Sequence, residues 1–399
     1  MDKASTQRFT CASTTSLVLP PCPRDDGPPL GDRHLRPSSG DIHATSVTSL
    51  PPLTDPICEK KSKKWRGNVL SRVKPLNEAA EKRRFMQDFS YNPQFVYKRR
   101  LPRSVRERYN RPSDGLLDLS VRIVRNVLRR YGTFEVHEER NGGRVLTDAE
   151  CLATARKYLR QNGISDVRVV VSRGLVPFAQ MTHDKRGNTV LEMKSGVIRE
   201  HRIQGLLNHE IGTHYLRGRN DKLQPWGSKM GKRLYGLRDK NPTEEGLASL
   251  HTVLLRSEGQ YLFHSALLYY SACMARDLSF SELFHNLGEF VGSHDSRWDY
   301  CMRVKRGMTD TSKPGCFSKD QVYLKGSLQL LKHRHSIDFS ALYLGKLAWE
   351  DVERLKPIAK KGRVILPAFL ASESDYQSKL DEILKINRLS DEMLALLDL

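Results

Sequence analysis

Apolar residues recur along most of this chain at the three-to-four-residue spacing of a helix face, and only two short runs are β-rich. Leu116, Leu119, Ile123, Val127 and Leu128 fall on or near one face of a helix predicted over 113–131. Thr147 and Glu150 form a capping-box pair, which opens a helix running to about residue 162 and stopping at Gly163. The runs 167–172 and 189–193 read as strands, joined by a polar segment containing Lys185-Arg186-Gly187-Asn188. A helix over 199–217, ending at Gly218, carries Ile203, Leu206, Leu207 and Ile211. Further helices are predicted over 243–256, 261–274, 279–291, 322–333, 350–355 and 374–397. No internal repeat is visible. The class is α+β, a small mixed sheet with a mainly helical remainder.

The front of the chain breaks this pattern. Residues 1–58 are rich in Ser, Thr, Pro, Gly and Asp, bury too little apolar surface to offset ordering entropy, and are expected to form a disordered polar tail. Residues 59–111 hold seventeen basic and five acidic residues, a balance of +12 within a chain total of +20. Such a segment implies a polyanionic partner: nucleic acid, an anionic membrane or an acidic protein surface. Tyr91-Asn92-Pro93-Gln94-Phe95 supplies apolar anchors where it begins to dock on the folded body, which is placed at 112–399. The seven cysteines include no C-x-x-C pair, as in reduced, cytosolic proteins. There is no signal-peptide pattern and no apolar run near the roughly 18–20 residues of a membrane span.

Candidate chemistry lies in the 199–217 helix, at His209-Glu210-Ile211-Gly212-Thr213-His214. In the shorter H-E-x-x-H motif two histidines four apart share a helix face and grip one Zn²⁺. Here they are five apart, so both reach one metal only if the turn between them widens, as in a π-bulge. Gly212 lies where that widening is needed. Glu210 would then take the proton of a zinc-bound water during attack and return it to the leaving amine. The bland alternative is a helix with two core histidines on different faces. A third ligand is expected from Asn241-Pro242-Thr243-Glu244-Glu245-Gly246-Leu247-Ala248, where Thr243 caps a helix and two carboxylates enter its first turn. Periodicity does not choose between Glu244 and Glu245, and His251 and Asp221 are weaker competitors.

Several stretches together resemble the microtubule-associated tyrosine carboxypeptidase family. They are His209–Gly218, Gln224-Pro225-Trp226, Tyr235-Gly236-Leu237-Arg238 and 241–251, joined by Tyr91–Phe95 and the run from Thr309 to Leu324. The resemblance runs from about residue 85 to the end of the chain, and includes the five-residue histidine spacing. It departs from the family pattern at Arg219, around Asp221-Lys222-Leu223 and over 227–234. It implies a zincin-like zinc peptidase that removes the terminal tyrosine of α-tubulin, a monomer acting in the cytoplasm on the microtubule cytoskeleton. Membrane and nucleic acid are then not expected as partners. By position it implies His209, His214 and Glu245 as ligands of one Zn²⁺ and Glu210 as the catalytic glutamate.

A carboxypeptidase must also hold a free carboxylate, and Arg217 and Arg238 are the nearest arginines in sequence. Tyr235 and His251 are candidate oxyanion donors, and Lys185, Arg186, Lys305 and Arg306 are candidate groove residues for an acidic tail. Competing readings are a zinc peptidase for other acidic protein tails and a non-catalytic filament- or nucleic-acid-binding protein.

Overall fold

The structure, a computed structural model, describes residues 73–399 except 174, 176, 185, 239, 240, 257 and 258. The expected tail at 1–58 and the start of the basic segment lie outside the described residues. Five helices come first: α1 (Glu78–Gln87), α2 (Arg103–Tyr109), α3 (Leu117–Tyr131), α4 (Phe134–Gly142) and α5 (Asp148–Gln161). Strands β1 (Val167–Ser172), β2 (Ala179–His183) and β3 (Thr189–Lys194) follow. The motif helix is composite: α6 (Ile203–Leu207), a π-helix (Asn208–Tyr215) and α7 (Leu216–Asp221). Then come α8 (Lys229–Leu234), α9 (Pro242–Val253), α10 (Phe263–Ala275), α11 (Phe280–Asn286) and α12 (His294–Lys305). The chain closes with α13 (Gln321–Lys332), α14 (Val352–Leu355), α15 (Glu373–Ile386) and α16 (Asp391–Ala395), with short 3₁₀ turns between.

The sheet is small and mixed, as expected, in the order β1-β3-β2. The two predicted strands are not successive partners joined by a turn. β1 and β3 run parallel, and the intervening β2 pairs antiparallel with β3. β2 escaped prediction because Ala179-Gln180-Met181-Thr182-His183 has no apolar run and is only half-buried. It forms one edge of the sheet and packs on the π-helix.

Several helix ends move for local reasons. Thr147 and Glu150 form the expected capping box at α5. Gly218 does not end the motif helix, which continues to Asp221. α9 is capped by Asn241, whose Oδ1 accepts the Glu244 N–H at 3.1 Å, and not by Thr243. Thr243 is already helical, and its hydroxyl accepts the Trp349 N–H at 3.1 Å. The predicted 374–397 helix breaks after Ile386, where Arg388 takes φ 54, and restarts under a Ser390 cap.

α10 is buried on nearly every side, as a helix apolar all round must be. α3, α12 and α13 cover it. The 73–111 stretch joins the same core through Phe85, whose ring lies 4.8 Å from Phe284, 5.1 Å from Phe280 and 5.4 Å from Trp298. Phe95 N–H donates to Thr309 O at 2.8 Å, pinning the Tyr91–Phe95 stretch. The four described cysteines, Cys151, Cys273, Cys301 and Cys316, are free and buried, and no described helix is long and apolar enough to cross a membrane.

α9 and α13 meet at glycines, and this contact sets where α9 sits. A Cβ on Gly326 would lie 2.3 Å from Pro242 O, and one on Gly246 would lie 2.4 Å from the Gly326 carbonyl carbon. Gly326→Ala is therefore expected to force the helices apart at a cost of about 1–3 kcal/mol. A lowered midpoint in denaturant unfolding would register it, and an unchanged midpoint would show that the contact has slack.

Candidate metal centre

The turn between the two motif histidines is widened: residues Asn208–Tyr215 form a π-helix. The pattern frees backbone carbonyls, and side chains take them up. Thr213 Oγ1 donates to Asn208 O at 2.8 Å, and Tyr343 OH donates to Gly212 O at 2.7 Å. Gly212 is required here for space more than for backbone freedom. A Cβ there would lie 2.7 Å from Tyr158 OH and 2.8 Å from Phe369 Cε1.

The widening brings the rings of His209 and His214 to 4.9 Å between centroids, at 79°. With Glu245 they form one group whose donor atoms lie within 4.8 Å of one another. Each histidine is oriented from behind. Thr252 Oγ1 donates to Ala248 O at 2.8 Å, so it accepts from His209 Nδ1 at 3.0 Å and leaves His209 Nε2 as a lone-pair donor. His214 Nδ1 lies 2.8 Å from Glu244 Oε1, and its Nε2 lies 3.5 Å from Glu245 Oε2. Consecutive carboxylates of α9 thus take different positions, Glu245 in the cluster and Glu244 behind the ring.

The electrostatics fit a cation. Burial, aided by His214, pushes His209 down to about 4, which keeps it neutral. Burial also opposes a charge on His214, but hydrogen bonds to Glu244 and Glu245 hold it up at about 10, so these carboxylates call for a positive charge at this spot. Burial would raise Glu245, but its bond to His214 outweighs this and holds it down at about 2. Two imidazole nitrogens and a carboxylate oxygen, with partners behind the rings, are a zinc-type donor set that leaves a coordination position open. Glu210 stands beside this group, facing β2 at Met181, and burial raises its carboxyl to about 7.

Other expected site residues lie elsewhere. Arg217 is fully buried, and its Nη1 bonds Glu244 while Nε donates to Leu342 O at 3.0 Å and Nη2 to Leu347 O at 2.7 Å. Its donors support Glu244 and are not presented to a substrate carboxylate. His251 is also fully buried, between Thr213 Oγ1 at 2.7 Å and Tyr376 OH at 2.8 Å, so it steadies the π-helix and does not face an oxyanion. Asp221 accepts from Lys346 N at 3.0 Å and pairs with Lys232 at 3.0 Å, outside the cluster. Lys305 is buried, donating to Ala275 O at 3.0 Å at the end of α10, and Arg306 pairs with Asp320 at 2.5 Å; neither lines a groove. Tyr235 is half-buried against Trp226, Arg238 and Arg186 are exposed, and Lys185 lies outside the described residues. Sequence reasoning missed Thr252, although it shares a face of α9 with Glu245 and Ala248. It also missed Lys346, 2.8 Å from Glu244 and distant in sequence.

The sequence model described as microtubule-associated tyrosine carboxypeptidase matches residues 103–391. The chain belongs to this family. Microtubule-associated tyrosine carboxypeptidase 1 of Mus musculus is 43% identical over 330 residues, covering 82% of this chain and 70% of the relative. The Homo sapiens protein of that name is 42% identical with the same coverage. The putative tyrosine carboxypeptidase MATCAP2 of Mus musculus is 44% identical over 326 residues, 81% of this chain and 62% of its own length. The resemblance drawn from the motifs is therefore family membership, and the metal group lies inside the matched region.

Because Glu244 holds His214 and is itself held by Arg217 and Lys346, Glu244→Gln should weaken metal binding about 10- to 100-fold. Competition against a chromophoric chelator measures this, and unchanged affinity would remove Glu244 from the support of the site.

Proposed function

We propose that this chain is a zinc-dependent carboxypeptidase that removes the C-terminal tyrosine of α-tubulin in microtubules. The observation that carries the proposal is the group His209, His214 and Glu245 on a π-widened helix, with Glu210 beside it. The substrate side rests on the family names, which speak of tyrosine carboxypeptidases associated with microtubules. A zinc ion held by these residues would polarise the scissile carbonyl and acidify a water.

Glu210 then acts as base and acid. It takes the water's proton during attack and delivers it to the departing amine of tyrosine. Its raised pKa suits both roles. β2 has no described strand on its outer edge, so an extended tail can pair there and run past Glu210. The basic segment 59–111 suits an acidic filament surface, and association would weaken with salt. On this reading the protein acts in the cytoplasm, on the microtubule cytoskeleton, as a monomer. The second reading, a zinc peptidase for other acidic protein tails, uses the same site.

Purified microtubules incubated with the unaltered protein should lose terminal tyrosine. Glu210→Gln should slow this by about 100-fold or more, and equal tyrosine retention in both samples would overturn the proposal. Removal of metal by a chelator should stop release, with recovery on adding zinc. Release should also fall on the acid side as Glu210 takes up its proton. The group is raised, so the active carboxylate is lost as pH falls through its folded pKa, about 7 without the cation and lower with one bound. An acid limb that persists unchanged in the residual rate of Glu210→Gln would exclude Glu210 as the base.

A further inference from the structure

The chain departs from the family pattern around Lys222 and over 227–234, and the fold makes a charged surface of that stretch. Residues 222–238 hold five basic and no acidic side chains. α8 is seated there by its inner side. A Cβ on Gly231 would lie 2.4 Å from Pro225 O, and half-buried Lys232 pairs with buried Asp221 at 3.0 Å. The outer side is left to solvent. Lys229 and Arg233 are exposed, and so are Met230 (77%) and Leu234 (78%), four residues apart.

A second basic stretch is bracketed against the first. Residues 356–366 hold four basic and no acidic side chains. Gln224 Nε2 donates to Lys360 O at 2.9 Å, and Gln224 Oε1 accepts from Lys360 N at 2.8 Å. Asn220 repeats the arrangement with Ile365, at 2.9 and 3.1 Å. Both carboxamides are buried, so the loop backbone is fixed while Lys360, Lys361 and Arg363 stay exposed. Lys232 and Lys356 have acidic partners, but among the described residues Lys222, Lys229, Arg233, Lys360, Lys361 and Arg363 form no ion pair. Contacts tie this surface to the metal group. Glu244 Oε1 lies 2.8 Å from both His214 Nδ1 and Lys346 Nζ. The Lys346 N–H donates to Asp221 Oδ1 at 3.0 Å, and Asp221 Oδ2 holds Lys232 of α8. Asn220 follows His214 by six residues on the motif helix, about 9 Å along its axis.

We infer that α8 and the 360–363 loop form a docking surface of the folded body for the acidic wall of the filament, separate from the basic segment at 59–111. This rests on the carboxypeptidase reading, which supplies the partner. A filament whose tail enters the metal group stands close to any surface a few side chains away from it. Six cations without ion-pair partners match acidic side chains, and an apolar pair within a charged rim is the layout of a protein interface. An anionic membrane matches the charge as well, but it brings no tail to the site. Docking here holds the body where the tail can reach the metal group, and it favours tails carried on a filament over free ones.

The test uses the full chain, microtubules, and a free tubulin-tail peptide ending in tyrosine. Two double variants, Lys229→Glu with Arg233→Glu and Lys360→Glu with Lys361→Glu, should each weaken co-sedimentation with microtubules about 10-fold at physiological salt, as exposed ion pairs become repulsions. KM on microtubules should rise in step, while kcat for the free peptide and the thermal midpoint stay unchanged. Met230→Ser with Leu234→Ser should also weaken co-sedimentation, but without changing its salt dependence. Microtubule affinity equal to that of the unaltered protein in both charge variants overturns the surface. Loss of binding to phosphatidylserine vesicles with microtubule affinity retained overturns it too, and marks a membrane contact instead. The surface is read by binding and the carboxypeptidase reading by tyrosine release, so the two fail separately. If the unaltered protein binds microtubules through these residues but releases no tyrosine, the surface stands and the carboxypeptidase reading falls.

Discussion

A helix that presents two metal-type ligands five residues apart has to abandon its ordinary hydrogen-bond pattern between them, and much of the surrounding fold follows from that demand. The π-helix at Asn208–Tyr215 gives up regular pairing, and a buried carbonyl left without a partner would cost about 1–3 kcal/mol. Thr213 and Tyr343 take up two of these carbonyls. Thr213 is held in turn by His251, His251 by Tyr376, and Asn208 by Tyr158. Elements from residues 158 to 376 therefore converge on one turn. Gly212 has no room for a side chain because that support presses directly on it.

A second buried centre lies behind the His214 ring. The Glu244 carboxylate receives His214, Arg217 and Lys346. Desolvation alone would protonate it, but Arg217 and Lys346 keep it well below the usual carboxylate range. A charged Glu244 fixes the His214 ring and directs Nε2 toward Glu245. Arg217 is consumed in this work, which is why an arginine so close in sequence to the motif is not available at the mouth of the site.

The motif spacing makes the widened turn legible in the sequence, because five residues and a shared target leave a helix few choices. The helix expected over 113–131, which forms from Leu117, and the Thr147 cap were equally plain, since each depends on neighbours within a few residues. β2 was not legible, because its pairing with β3 and not its composition makes it a strand. Nor was α12, whose sequence His294–Lys305 is dominated by charged and polar side chains around a few buried ones. Local spacing also misled at Arg217 and His251, where proximity along the chain suggested the open side of the site and packing placed both behind it. Lys346 reaches the site only through a tertiary contact with Glu244, so no window of sequence contains its role.

Glu244 and Glu245 are neighbours on one helical turn, and that turn is seated by the glycine contact between α9 and α13. Glu245 of the candidate metal group and the carboxylate that steadies His214 are consequently parts of one solid body. A displacement of α9 withdraws Glu245 from the cluster and Glu244 from His214 together. Such a centre has no graded way to loosen, and holding an ion there would be a cooperative property of the α9–α13 pair instead of a sum of three separate grips.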